Sequence, residues 1–400
     1  MSPLHDEPPA ASAPRRVLPL IILAQFMGTS LWFVGNAVAD EVAVAWPEIR
    51  GAVGWLTSSV QLGFISGTLA YAVLALADRF DAQRVFFVSS LLAAGANALT
   101  LVAPSSFAWF LAGRFATGFF LAGIYPVGMK LATSWFRRGL GNAIGLLVGA
   151  LVLGTAFPHL LRTAALPWRP VIVTASGLAV LGGVMVRLGV PEGPFVRRQS
   201  AFDPRAMLSI IRDPSFVRAS LGYFGHMWEL YALWAFVPWA LQQAWPGLTT
   251  ESLSLGSFGV IALGAVGCAA GGFVSTRLGS ARVAMVQLAL SGLCCAMSPW
   301  LLSQGGVITV ALLLVWGVTV AGDSPQLTTL GARTAPPDQV GTALTLMTMV
   351  GFAISIGSIQ LLSALAQPGG PAWLMAVLIP GPALGLWALG PLWRRDPTRA

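Results

Sequence analysis

Charge is scarce in this chain. Of 400 residues, 23 are Lys or Arg and 15 are Asp or Glu, and Lys130 is the sole lysine. An ordinary soluble domain carries about a quarter of its residues as charges, so a water-solvated fold is excluded. Cysteine is also scarce. Cys268, Cys294 and Cys295 lie inside apolar runs, an odd set that forms no disulfide framework and offers no CxxC pair for zinc or redox chemistry. There is no GxxxxGK[ST] loop to cradle a nucleotide phosphate, no GxSxG turn for a nucleophilic serine and no HExxH helix for a catalytic zinc. ATP hydrolysis and the common hydrolase chemistries therefore have no residues to run on, and neither a cofactor nor a metal is expected.

What is abundant is apolar. Hydrophobic residues make up 56% of the chain, and the mean hydropathy is +0.75. A helix needs roughly 20 apolar residues to cross a bilayer, so about twelve crossings would use about 240 positions. Segmenting at charges, prolines and glycines predicts spans at 17–39, 52–77, 85–103, 107–136, 141–161, 170–190, 219–244, 253–275, 283–302, 306–330, 340–366 and 371–393. The expected fold is an all-α membrane protein of twelve transmembrane helices. Its organisation is a tail at 1–16, a six-helix bundle at 17–190, a polar central loop at 191–218, a second bundle at 219–393 and a tail at 394–400. In the central loop, Asp203 to Asp213 (DPRAMLSIIRD) sets apolar positions between charges, the pattern of a short helix lying on the membrane surface.

The net charge of +8 does not mark a nucleic-acid face, because the basic residues fall between the apolar runs. With the amino terminus in the cytoplasm, the inner segments hold 19 Lys or Arg and the outer loops hold only Arg50, Arg162 and Arg169. That bias predicts a multi-pass protein of the cytoplasmic (inner) membrane with both termini inside.

The halves echo one another. GFFLAGIYP at 118–126 matches GVTVAGDSP at 317–325, an offset of 199, with Gly118, Ala122, Gly123 and Pro126 recurring as Gly317, Ala321, Gly322 and Pro325. LALADRFDAQR at 74–84 aligns with GFVSTRLGSAR at 272–282, and GNAIGLL at 141–147 with GTALTLM at 341–347. Three echoes near one offset indicate two duplicated units.

These residues resemble the major facilitator superfamily along essentially the whole chain. The loop between the second and third spans is similar to the family's Asp-Arg motif in Asp78, Arg79 and Arg84, although Leu74 and Asp81 replace its glycines. Its second-half copy keeps Gly272, Arg277 and Gly279 but has Thr276 in place of the acid, and Arg114 followed by Gly118 is similar to the family's Arg-x-x-x-Gly pattern. The resemblance implies two pseudo-symmetric bundles that rock about a central site, with Asp78, Arg79, Arg84, Arg277 and Arg282 in a cytoplasmic gate. The glycine-rich fifth and eleventh spans also give a distant resemblance to nitrate and nitrite porters. Those porters hold their anion with arginines in spans two and eight, and this chain has no Lys or Arg at 52–77 or 253–275.

Ionisable side chains inside spans are costly and need partners or functions. Glu229 lies 11 residues into the seventh span from Arg218, about 16 Å along a helix and close to mid-membrane. His226, three residues earlier, projects from the same helical side. The pair can couple transport to protons or touch substrate; it can equally lock the bundle. Asp323, beside Pro325 in the tenth span, suits either a site or a gate, and its repeat counterpart is Ile124. Arg114 can attract an anion, tune a carboxylate or act as an anchor. Gln25, Thr29, Trp32 and Asn36 form a polar stripe on the first span that either lines a cavity facing the seventh span or hydrogen-bonds between helices; Tyr125 and Gln61 are further lining candidates. Gly141, Gly145 and Gly149 form a small-residue row suited to close packing. Cys294, Cys295 and Met297 admit a soft-metal reading, but no MxxxM pair in the seventh span supports it.

The reading is a proton-coupled secondary transporter of a small polar organic solute, working as a monomer in the lipid bilayer and not with nucleic acid. An inorganic anion or metal carrier of the same fold, and a channel, are the alternatives.

Overall fold

The computed structural model describes residues 14–46, 51–102, 106–136, 140–164, 166–195, 207–337, 339–366 and 370–394. Twelve helical passes are present, and eight of the helices are long and apolar enough to cross a membrane by length and composition. In the first half the passes are Val17–Thr29 with Val34–Ala37 and Ala39–Ala45, Ala52–Val73, Ala82–Leu99, Phe107–Leu121 with Tyr125–Trp135, Leu140–Arg162 and Trp168–Gly189. In the second they are Pro214–Ala244, Thr250–Leu278, Ser280–Gln304, Gly306–Gly322 with Ser324–Thr334, Val340–Leu365, and a twelfth that begins as a 3₁₀ turn at Ala372–Leu378 and continues through Pro380–Leu389. Large apolar side chains such as Leu188, Val102 and Trp387 remain outward-facing, as a lipid-facing surface requires.

Three departures from the expected spans have local causes. The first span is not continuous: it unwinds at Ser30–Phe33, where Thr29 and Ser30 hydroxyls bond back to the carbonyls of Gln25 and Met27, each at 2.7 Å. The fourth and tenth spans both break, at Ala122–Ile124 and at Asp323, because Pro126 and Pro325 lack the N–H that would continue the helix. The Ala321 carbonyl, which Pro325 cannot serve, accepts from Cys268 Sγ at 3.1 Å. The seventh span starts at Pro214 rather than 219, because Asp213 caps it through the amides of Ser215 and Phe216 at 2.8 and 3.0 Å. Of the expected surface helix, Met207–Ile210 is helical, Ile211 and Arg212 form a turn that leads to the Asp213 cap, and Asp203 to Ala206 lie outside the described residues.

The sequence repeat is a repeat of contacts. A Cβ added to Gly118 would stand 1.9 Å from the Val60 carbonyl oxygen, and one added to Gly317 would stand 2.0 Å from that of Val260. Only glycine lets the fourth span press on the second, and the tenth on the eighth.

The halves meet along two seams. At the end of the molecule away from the termini, the second and eleventh spans touch at Ser58–Gln360 (2.9 Å) and Gln61–Ser355 (3.2 Å), closing at mid-depth on Phe64 and Phe352, whose ring centroids are 4.7 Å apart. At the termini end, the glycine row of the fifth span packs on the eighth, where a Cβ on Gly145 would lie 2.9 Å from the Cys268 carbonyl oxygen.

Candidate functional site

Below the Phe64–Phe352 contact the second and eleventh spans part around a cavity of about 330 Å³. It runs toward the termini face, where Ala77, Asp78, Lys130 and Thr133 line it, and its wall draws on both halves: Thr68, Tyr71, Tyr125 and Val148 from the first, Tyr223, Met227, Tyr231, Trp234, Ser324 and Thr348 from the second. A layer of rings closes its inner end. Trp32, in the unwound part of the first span, stacks on Tyr231 at 5.9 Å and meets Phe64 at 4.8 Å, while Tyr231 meets Phe352 at 5.1 Å. Toward the far face lies a second cavity of about 440 Å³, lined by Asn36, Asp40, His159, Trp239, Ser257 and Ser363 among others.

Behind the cavity wall, the second half buries a polar cluster. Glu229 is 1% exposed. Its Oε2 accepts from Ser291 Oγ at 3.0 Å, and its Oε1 accepts from Trp316 Nε1 at 2.5 Å and Cys295 Sγ at 3.4 Å. Three spans, the seventh, ninth and tenth, thus converge on one carboxylate. His226 engages Asp323 rather than Glu229, with Nδ1 2.8 Å from Oδ1. The approach is close but not in line with the ring N–H, so this is a proximity pairing, and among the described residues neither group has an aligned hydrogen-bond partner. Met227 and Ser324, next in sequence to His226 and Asp323, face the cavity, which places the cluster one side-chain layer behind the wall.

Arg114 stands elsewhere. Its guanidinium donates to Asn97 Oδ1 at 2.9 Å and to the carbonyls of Leu31 and Trp32 at 3.0 and 2.5 Å. It is 1% exposed, lines neither cavity and satisfies the carbonyls that the unwound first span releases. It thus stands away from both cavities and is buried on these groups instead of snorkelling outward as the anchoring expectation had it.

The polar stripe divides. Gln25 lies against Gly128 of the fourth span and Thr29 against Gly154 of the fifth, so both face the interior of the first half instead of the seventh span. Trp32 belongs to the ring layer, Asn36 donates to Thr57 Oγ1 at 2.7 Å near the far cavity, and Tyr125 lines the central one.

Among the described residues the expected gate residues do not meet across the halves. Asp78 pairs with Lys130, which also donates to the Ala77 carbonyl at 2.5 Å. Arg84 meets Asp81 at 2.9 Å on the surface, Arg79 and Arg277 are exposed, and Arg282 lies over the Trp393 ring at 5.6 Å. Sequence reasoning missed Lys130 as the partner of Asp78, although a single lysine at the end of a span was the available signal. It also missed Arg162, which pairs with Asp40 and Glu41 and donates to the Leu166 carbonyl at 2.8 Å, tying the first span to the fifth at the far face.

The geometry can be set beside known proteins. A sequence model of the Major Facilitator Superfamily matches residues 17–359. The chain is 29% identical over 383 residues to the probable transporter SCO4007 of Streptomyces coelicolor, covering 91% of this chain and 84% of that protein. Among solved structures it superposes on the E. coli fucose:proton symporter FucP in the outward conformation with a TM-score of 0.70 at 14% identity, over 93% of this chain and 97% of that one. The human organic anion transporter MFSD10 (TETRAN) gives a TM-score of 0.70 at 17% identity, over 96% and 99%. At those identities the structural likeness speaks for the fold alone.

Proposed function

The chain belongs to the Major Facilitator Superfamily, and from that premise we propose that it is a proton-coupled secondary transporter of the cytoplasmic membrane, carrying a small organic solute by alternating access. The observation that carries this reading is a central cavity between the halves, reaching the termini face and closed from a far-face cavity by the ring layer of Trp32, Tyr231, Phe64 and Phe352. With the termini in the cytoplasm, as the distribution of arginines supports, this is the inward-facing arrangement.

Proton coupling is supported by the second-half cluster. Among the described residues no Lys or Arg pairs with Glu229 or Asp323, so a buried carboxylate there has hydrogen bonds and an imidazole but no permanent cation to hold its charge. Trp316 can only donate, whereas the Ser291 hydroxyl can turn from donor to acceptor. A proton is therefore taken up on Oε2 of Glu229, with Ser291 reversing its bond and Trp316 keeping hold of Oε1. The nitrate and nitrite branch gains no support, because among the described residues Lys130 is the one cation lining the cavity, and it is already paired with Asp78.

The test is Glu229→Gln in proteoliposomes holding a pH-sensitive dye, with solutes chosen by a thermal-shift screen of metabolites. Solute-driven proton flux should fall more than tenfold while solute counterflow persists. Wild-type flux in this variant would move the coupling role to Asp323, and a solute that crosses without any counterflow would favour a channel.

A further inference from the structure

The central cavity suits a narrower solute than a small polar molecule. Among the described residues its charged lining consists of Asp78 and Lys130, which pair with each other at the mouth. Further in, the wall is Tyr125, Tyr223, Tyr231, Trp234, Phe64 and Phe352, drawn from both halves. An ion entering here would give up its hydration and meet no unpaired opposite charge, because Glu229, His226 and Asp323 lie behind the wall. A polyol needs many hydrogen-bond partners at once, and of the lining hydroxyls Thr133 and Thr328 already donate to their own helix carbonyls, at 3.0 Å in each case.

Two buried polar atoms at the wall have no partner among the described residues: Trp234 Nε1, on the seventh span, and Thr68 Oγ1, on the second. Trp234 is 1% exposed. A buried indole N–H left unpaired is costly, and an acceptor brought in by a ligand would relieve it. Because the two atoms sit on different halves, a ligand with acceptors for both would touch each bundle.

We propose that this cavity binds an uncharged, planar aromatic solute bearing a hydrogen-bond acceptor such as a carbonyl, its ring against the tyrosine and tryptophan faces and its acceptor on Trp234 Nε1. The volume lies within the range of pockets that enclose drug-sized ligands. Ring-on-ring contact supplies the apolar part of the binding and the indole N–H supplies the orientation. The assignment deepens the transporter reading and rests on it for its meaning as a substrate site, although the binding itself can be measured without transport.

The experiment is equilibrium binding to the purified full-length protein with four probes: coumarin, coumarin-3-carboxylate, naphthalene and myo-inositol. Coumarin should bind saturably. The carboxylate, with the same ring and a charge, should bind at least tenfold more weakly, and myo-inositol should not bind. Trp234→Phe keeps an aromatic ring and removes the donor; it should weaken coumarin about fivefold to tenfold and leave naphthalene unchanged. Thr345→Trp adds bulk to the cavity wall and should abolish coumarin binding. If Trp234→Phe does not fold, Thr68→Val provides the second donor test, with a smaller loss expected. The assignment is overturned if the carboxylate or the inositol binds as tightly as coumarin, if coumarin has no saturable site, or if that site ignores the folded variants. Solute-driven proton flux with an unrelated solute and no coumarin site would overturn the solute class and spare the transporter reading. A coumarin site with no solute-driven flux would do the reverse.

Discussion

The fourth span breaks at Ala122–Ile124 ahead of Pro126 and the tenth at Asp323 ahead of Pro325, and in each span the glycine eight residues before the proline presses on a carbonyl of a neighbouring span. The side chains at these matched places differ. Ile124, buried and apolar, stands where the second half has Asp323, and Arg114 stands where the second half has Leu313, at the same offset of 199. The first half buries its cation on neutral groups, the Leu31 and Trp32 carbonyls and Asn97, which hold the unwound first span. The second buries two acids and an imidazole beside the cavity wall. Duplication preserved the backbone breaks and left the chemistry at them free to diverge; under the proposed coupling, the charged residue of the first half is support and those of the second are participants.

Arg114→Leu is the hardest blow to that contrast. It removes the donor to three acceptors in a dry interior, and each orphaned acceptor costs about 1–3 kcal/mol, so a total loss of roughly 3–9 kcal/mol is expected. Arg114→Lys should recover little, because one ammonium cannot span the positions that the planar guanidinium fork reaches. The measurement is thermal unfolding in detergent. A stable Arg114→Leu protein that had lost only transport would place Arg114 among the participants and undo the comparison.

The glycine pair comes next and tests the symmetry itself. Gly118→Val and Gly317→Val each force a side chain into a carbonyl of the adjoining span, and overpacking of this kind costs about 1–3 kcal/mol. Both should lower the melting temperature, and by similar amounts. A large effect in one half alone would mean that the matched contacts do not carry matched loads.

The part of this that the sequence revealed is the part that repeats. GFFLAGIYP and GVTVAGDSP showed the repeat and hold the prolines and glycines behind both breaks and both close contacts, although the expected spans ran straight through the breaks. That Glu229 needs partners was also legible, because a carboxyl deep in an apolar run is costly without them. Its partners were not: Ser291, Cys295 and Trp316 lie 62 to 87 residues away, and no periodicity links them. The unwinding at Ser30–Phe33 was hidden too, because no proline marks it and the force that holds it open, Arg114, comes from another helix.

The smallest expected effect lies at the cavity mouth, where the first half places its own acid. Asp78 and Lys130 are partly buried, with side chains 21% and 16% exposed, so the pair is worth about 1 kcal/mol, more than a fully solvated bridge and less than a dry one. Asp78→Asn keeps the shape and removes the negative charge, leaving Lys130 with the Ala77 carbonyl and a net positive mouth. If Asp78 acts only as support for that charge balance, the melting temperature should fall by a few degrees, coumarin should bind within twofold of wild type, and coumarin-3-carboxylate should gain affinity severalfold, most of all at low salt. If Asp78 is instead a participant, as is proposed for Glu229, solute-driven proton flux should collapse with no change in selectivity between the two probes. The ratio of carboxylate to coumarin binding, read at two ionic strengths, separates those outcomes, because a screened charge at the mouth changes the ratio with salt and a proton carrier does not.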